Sequence, residues 1–430
     1  MSDVIISPRL RLVSALRMLA ALVLTGLLSG LGGMLLALLL HTVQHLAYGY
    51  SLTQVISDES FLQGVTQAHP LRRFLALLGC GALAGIGWYA LSRYGRKRVS
   101  ITAALQADKP RMPLAETVIH ALLQIITVAL GSPLGREVAP RELGALAACR
   151  LSHWLKLSSE DTRLLIACGA GGGLAAVYNV PLGGALFVLE VMLARFHLKA
   201  SLAALFTCAL AALVARFGLG NEYQYHLTMT LNVSRDLLVW AVLTSPIFGL
   251  AATAFVRITR QARQQAPRHA RLILTNLLNF ALLGLLVVIL PQLAGNGKGP
   301  AELSFTSQLP AFLALVVLVC KVFIQWSSLR AGAHGGLLTP GLANGALLAL
   351  VLGAAWSLLF AHNPPGAYAV IGAAAFLAAS MNMPLTSLVL IMELTRLQED
   401  FIVPIALCIT GAVVTRKWLE QHSALFSHTR

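Results

Sequence analysis

The sequence predicts an all-α integral membrane protein built from two related halves, with many broken and tilted helices. Three observations predict it: a composition too apolar for a water-facing surface, long uncharged runs flanked by basic clusters, and Gly and Pro breaks that recur later in the chain. Of 430 residues, 57 % are hydrophobic and 11 % charged, against about 25 % charged in a soluble chain. That balance excludes a soluble enzyme, a disordered tail protein and a fibrous repeat. A formal charge of +15 suits a nucleic-acid binder only if the basic residues share one exposed face. Here they lie in short clusters between apolar stretches, the pattern of cytoplasmic loops. The expected partner is therefore a lipid bilayer and not nucleic acid.

The first apolar run, Met18 to Leu40, is uncharged and follows Arg9, Arg11 and Arg17. At about 1.5 Å per residue it can cross a hydrocarbon core of about 30 Å, and it is too long for the core of a cleavable signal peptide. The next run, Phe74 to Ser92, leads into Arg93, Arg96, Lys97 and Arg98, whereas the loop between the runs carries Asp58 and Glu59. The positive-inside rule makes this a hairpin connected on the outside. Arg257, Arg260, Arg263, Arg268 and Arg271 read as another cytoplasmic loop, and Arg416 and Lys417 lie near the end, so both termini are expected in the cytoplasm. The expected organisation is a cytoplasmic segment at 1–17, a transmembrane domain at 18–420 with halves at 18–218 and 235–415, and a short cytoplasmic tail at 421–430 without a soluble regulatory domain.

Segments such as Val118 to Leu134 and Ala343 to Phe360 are interrupted or followed by Gly and Pro clusters. Irregular backbone at membrane depth survives only where protein or a water-filled cavity satisfies it, which predicts short, broken helices. Cys80, Cys149, Cys168, Cys208, Cys320 and Cys408 are widely spaced, mostly in apolar segments and without a CxxC pair. They read as small packing residues, and no metal or cofactor is expected.

Gly169-Ala170, Leu174-Ala175-Ala176, Asn179, Pro181-Leu182 and Glu190 recur as Gly372-Ala373, Leu377-Ala378-Ala379, Asn382, Pro384-Leu385 and Glu393, all displaced by the same interval. Upstream, Gly135 to Pro140 followed by Gly144-Ala145-Leu146 corresponds to Gly335 to Pro340 followed by Gly345-Ala346-Leu347. Two halves with paired helix breaks are the pattern of transporters whose half-helix ends meet near the bilayer midplane. In Gly131-Ser132-Pro133-Leu134-Gly135-Arg136-Glu137-Val138-Ala139-Pro140, Gly and Pro end one helix and let another begin. Its first N–H groups lack intrahelical acceptors and carry partial positive charge, so such a start binds anions. Ala333-His334-Gly335-Gly336-Leu337-Leu338-Thr339-Pro340 offers a second start, without an acid. Asn179-Val180-Pro181 and Asn382-Met383-Pro384 suggest two more, with Asn as the amino-terminal cap and Pro in the first turn. Each break could also simply permit close helix packing; their paired recurrence favours function.

Glu137 stands at the first break. An ionisable group inside a membrane is a functional hypothesis by default: ionised, it can occupy an anion site; protonated, it can leave and carry a proton. The alternative is a structural salt bridge with Arg136 or Arg141. Glu142 is expected to partner Arg141 or to serve the helix end. Glu190 and Glu393 occur in both halves, which suggests a structural role. His41 and His45 have ligand-like spacing but lie beside Tyr48 and Tyr50 at the end of a span, and an interfacial belt is the favoured reading. A membrane enzyme would need a paired acid, an activated nucleophile or a metal cluster, and none stands out.

Gly135-Arg136-Glu137-Val138-Ala139-Pro140 resembles the Gly-Arg-Glu-x-x-Pro signature of the CLC anion channels and proton antiporters. Gly336-Leu337-Leu338-Thr339-Pro340 resembles their Gly-x-Phe-x-Pro signature with Leu338 in the Phe place, and Asn179-Val180-Pro181-Leu182 with Gly184, Phe187 and Glu190 resembles their Asn-x-Pro-Leu helix. The resemblance implies a CLC-like inverted repeat, a homodimer with a pathway in each subunit, and anion coordination mostly by backbone amides. Glu137 then matches the gating and proton-transfer glutamate, and the implied anion-binding positions are Gly135, Arg136, Val138, Gly336, Leu337, Leu338 and Thr339.

Three departures bear on the cargo. Where the family's Gly-Ser-Gly-Ile-Pro is expected, shortly before Ala103-Ala104-Leu105, the chain reads Gly95-Arg96-Lys97-Arg98-Val99, without the serine ligand. Val191 stands where the inner proton-transfer glutamate of chloride antiporters would follow Glu190, and the terminal segment around Leu425 and Phe426 has no tyrosine for the inner anion site. These losses, with the Gly-Arg-Glu-Val-Ala-Pro spelling, resemble the bacterial fluoride/proton branch. The expected function is export of fluoride in exchange for protons across a bacterial inner membrane, giving fluoride resistance. The alternatives are chloride/proton antiport and a passive anion channel.

Overall fold

The computed structural model describes residues 8–57, 59–227, 232–360 and 363–427, with side chains described from 13 to 422 outside the same gaps. Asp58 lies outside the described residues, as do the side chains of Arg9, Arg11, Leu425 and Phe426 and much of the two expected terminal segments. In chain order the helices are α1 (Pro8–Tyr48), α2 (Phe61–Gln67), α3 (Pro70–Tyr94), α4 (Ile101–Gln106), α5 (Leu114–Ala129), α6 (Val138–Trp154), α7 (Ser159–Tyr178) and α8 (Pro181–Phe187). A π-helical turn (Val188–Met192) continues α8, and then come α9 (Leu198–Leu219), α10 (Arg235–Gln264), α11 (Arg271–Ile289) and α12 (Lys298–Phe305). The chain closes with α13 (Ala311–Ala331), α14 (Leu338–Ser357), α15 (Pro365–Met381), α16 (Pro384–Thr395) and α17 (Ile402–Ser427).

Among the described residues, eight helices are long and apolar enough to cross a membrane. Shorter apolar pieces, α5, α15 and α16 among them, lie between these, which is the broken architecture the Gly and Pro clusters predict. Large apolar side chains such as Phe217, Ile289 and Phe312 are exposed, as befits helices whose outer solvent is hydrocarbon.

The chain forms two compact units. The first comprises Met1–Leu36, Arg96–Ala121 and Pro140–Asn221, and the second Ala37–Gly95, Leu122–Ala139 and Glu222–Arg430. Within the first, α7 is buried from Leu164 to Tyr178 and packs on α9. Small residues permit this: Gly144 and Gly169 approach so closely that a Cβ on either would overlap the other's carbonyl, and Ser29 donates to the Gly169 carbonyl at 3.3 Å. Close backbone approach with a polar side chain as tether is how helices associate where lipid gives no hydrophobic drive. Within the second unit α3 packs on α11, α14 on α15, and α10 on α17.

Four expectations change in the structure. Arg257, Arg260 and Arg263 belong to α10 and not to a loop; the break comes at Gln265. Asn179 and Asn382 are not amino-terminal caps: each ends the preceding helix in the left-handed conformation, with φ of 55° and 54°. Asn tolerates that region because its short polar side chain bonds locally. The following α8 and α16 do begin on Pro181 and Pro384, where the missing N–H costs nothing. His45, Tyr48 and Tyr50 are buried, and Tyr48 donates its hydroxyl to the Leu130 carbonyl at 2.9 Å, so these residues serve the protein interior and not an interfacial belt. Glu142 takes its contact from His120 Nδ1 at 2.6 Å, a partner on another helix, while Arg141 lies over the Phe187 ring at 4.3 Å.

Candidate functional site

The site is built by two turns of the same design, both in the second unit. After α5 the chain reverses through Gly131 at φ 108°, and after α13 through Gly332 at φ 97°; side chains rarely adopt such values, and glycine does so without a Cβ penalty. From there the first turn runs into α6 at Val138 and the second into α14 at Leu338. The two strips meet in an antiparallel pair: Gly135 N–H donates to the Gly336 carbonyl at 2.8 Å, and Gly336 N–H to the Gly135 carbonyl at 2.9 Å. This differs from the amide role expected of Gly135 and Gly336, because each donor is already engaged by the other's carbonyl.

The pairing places the Glu137 side chain over the start of α14. Glu137 is 1 % exposed, and its Oε1 accepts from the Leu338 N–H at 2.7 Å. A carboxylate there meets the partial positive charge of a helix start, a contact worth about 0.3–1 kcal/mol at a surface and about 2 kcal/mol when partly buried. The glycines make room for it. A Cβ on Gly336 would fall on Oε1 and Cδ of Glu137, and one on Gly135 on both carboxylate oxygens. Leu337, with φ −125°, caps α14 and accepts from Gly341 N–H at 2.9 Å through its carbonyl, and Thr339 is buried in the first turn. Val138 opens α6.

Cations border this arrangement. Arg136 is buried and donates through Nη2 to Gln224 Oε1 at 2.8 Å. Arg263 Nη2 donates to the Gly335 carbonyl at 3.0 Å, bracing the second turn. Lys298, at the start of α12 and outside the eight spans, is pushed down to about 8, first by desolvation and then by the charge of Arg136, with Glu302 opposing. Lys321 is fully buried on α13 and donates to the carbonyls of Leu293 and Gly295 at 2.8 and 2.7 Å; Gly295 N–H in turn donates to the Gly131 carbonyl at 3.0 Å. Sequence does not point to Gln224 or Lys321, and reads Arg263 only as part of a basic loop. Only Lys321 carried a local signal, a cation inside an apolar run, which is costly at membrane depth and calls for a partner.

The residues from 80 to 417 match the family model described as voltage gated chloride channel. The chain belongs to this family. A ClcB-like chloride channel protein of Ralstonia nicotianae is 32 % identical over 79 % of this chain and 82 % of its own length. The H(+)/Cl(-) exchange transporter ClcA of Salmonella arizonae is 28 % identical over 94 % of this chain and 86 % of its own. Among solved structures, a slow cyanobacterial Cl-/H+ antiporter superposes with a TM-score of 0.81 at 22 % identity, covering 96 % of this chain and 98 % of that one. A CLC-type fluoride/proton antiporter superposes with a TM-score of 0.71 at 20 % identity, covering 93 % and 96 %. The CLC fold and a multi-pass membrane protein of a channel and transporter family follow from these likenesses.

Proposed function

We propose that this CLC protein is a proton-coupled anion antiporter in which Glu137 is both the gate and the proton carrier. The observation that carries the reading is the 2.7 Å bond from Leu338 N–H to Glu137 Oε1. The ionised carboxylate sits where a helix start would hold a free anion. Protonation removes its charge and its claim on that position, so an anion enters when a proton is taken up, and release of the proton returns the carboxylate and displaces the anion. The start of α14, with Leu337, Leu338 and Thr339, and the first residues of α6 at Val138 supply the anion's surroundings, and Arg136 supplies nearby positive charge. Inward protons then drive anions outward across a bacterial inner membrane, from a homodimer with both termini in the cytoplasm.

Two cargo readings have support. Chloride is favoured by the names of the exchange transporter and antiporter just described; fluoride is favoured by the missing serine, inner glutamate and tyrosine and by the Gly-Arg-Glu-Val-Ala-Pro spelling. Purified protein in liposomes under a fixed proton gradient separates them. Uphill movement of one halide above the other assigns the cargo, and anion flux without proton movement would replace the antiporter by a passive channel, the reading that Val191 at the inner glutamate's place favours.

A further inference from the structure

Among the described residues, only two carboxylates are buried, Glu137 and Glu142. They lie five positions apart, at the start of α6, in a chain with 17 acids in all. Glu142 belongs to the first unit, where it meets two basic groups from other segments. His120 Nδ1, on α5, lies 2.6 Å from Glu142 Oε2, and Arg98 Nη1, in the segment after α3, lies 3.9 Å from Oε1. Exposure rises along this row: the side chains of His120, Glu142 and Arg98 are 4 %, 11 % and 34 % exposed. An apolar cluster that includes Ile101, Met112, Leu146 and Ile166 lies in the same unit.

A buried ion pair is weak as a device for stability, because desolvation of both charges offsets their attraction. Arg98 holds a constant charge at 3.9 Å from Glu142, but the nearer partner, at 2.6 Å, is the imidazole of His120. Imidazole can both accept and donate a proton, which a guanidinium does not, and a buried ionisable group in a membrane protein is a functional hypothesis by default. The row also has a direction, since Arg98 belongs to the basic cluster assigned to the cytoplasmic face by the positive-inside rule.

We propose that His120 and Glu142 form the inner proton relay of this protein, with Arg98 at its mouth. Imidazolium Nδ1–H passes its proton to Glu142 Oε2, leaving neutral imidazole and a carboxylic acid. The acid then releases the proton to water beside Arg98 and regains its charge. The relay takes over the task for which Val191 has no titratable group. The inference rests on the antiport reading of Glu137 and deepens it.

The test uses the full chain in liposomes, with proton and halide movement recorded together in wild type, Glu142→Gln and His120→Gln. Glutamine keeps the shape and a hydrogen bond in place of the carboxylate but cannot cycle a proton. In Glu142→Gln, proton movement should fall at least about tenfold while halide movement persists, so the proton-to-anion ratio drops. A wild-type ratio in that variant, or equal loss of both fluxes from a well-folded variant, overturns the relay. If Glu142→Gln does not fold, His120→Gln carries the same two outcomes. Wild type without any proton movement would overturn the antiport reading as well, whereas a coupled wild type with coupled variants overturns the relay alone.

Discussion

Residues 131–138 and 332–338 share a design: a left-handed glycine, a glycine in the antiparallel pair, then a helix start. The first turn carries Glu137; the second carries Leu337 at the matching stage and no acid. Their difference is a division of labour. The first turn supplies a carboxylate, and the second supplies the helix start that it meets, at 2.7 Å through Leu338 N–H. The mutual Gly135–Gly336 bonds hold giver and receiver in register.

The largest test of that inequality removes the charge from the first turn. Glu137→Gln should lower proton movement about a hundredfold or more, because an amide cannot take up and release the proton, while halide movement continues; unaltered coupling in a flux assay would end the proposed role. The second test closes the receiving place instead. In Gly336→Ala the new methyl collides with the carboxylate, and since the end of a Glu side chain moves more readily than backbone, Glu137 should be expelled. Losing a contact of about 1–2 kcal/mol corresponds to roughly a tenfold rise in the open population. Passive halide flux should therefore rise, and a flux at or below wild type would contradict the geometry.

Two smaller tests ask whether the first turn depends on its supports. Lys321→Met leaves the Leu293 and Gly295 carbonyls without their shared donor, with an expected loss of about 1–3 kcal/mol seen as a lower Tm in detergent. The bond from Gly295 to Gly131 makes the first turn the place where that loss falls. Gln224→Ala removes the acceptor of Arg136 and should cost about 1 kcal/mol with proton coupling retained; loss of coupling would mean that Arg136 orientation is part of the gate.

Much of this molecule could be read from residue order. Apolar runs, basic clusters and helix breakers act locally, so the spans, a helix start within each of 131–140 and 333–340, and Pro181 and Pro384 in first turns could be anticipated. The errors share a cause as well. An Asn before a Pro-started helix looks the same in sequence whether it caps that helix or ends the one before, and φ decides. A His-Tyr cluster at the end of a span looks the same whether it faces lipid headgroups or packs inward. Sequence reads Glu142 as a partner of Arg141 or a helix-end residue, but Glu142 reaches His120 across 22 residues, because side chains that adjoin in a helix point different ways.

The sequence by itself determined the membrane class, the repeat, the two breaks and the asymmetry of an acid at one break only, since composition, periodicity and identity need no partner segment to be seen. The tertiary structure decided that Glu137 meets the start of the helix 201 residues away, that Gly135 and Gly336 spend their amides on each other, and that Lys321 is held by two carbonyls. A hydrogen bond is made between groups that packing brings within about 3 Å, and packing is a property of the folded chain as a whole.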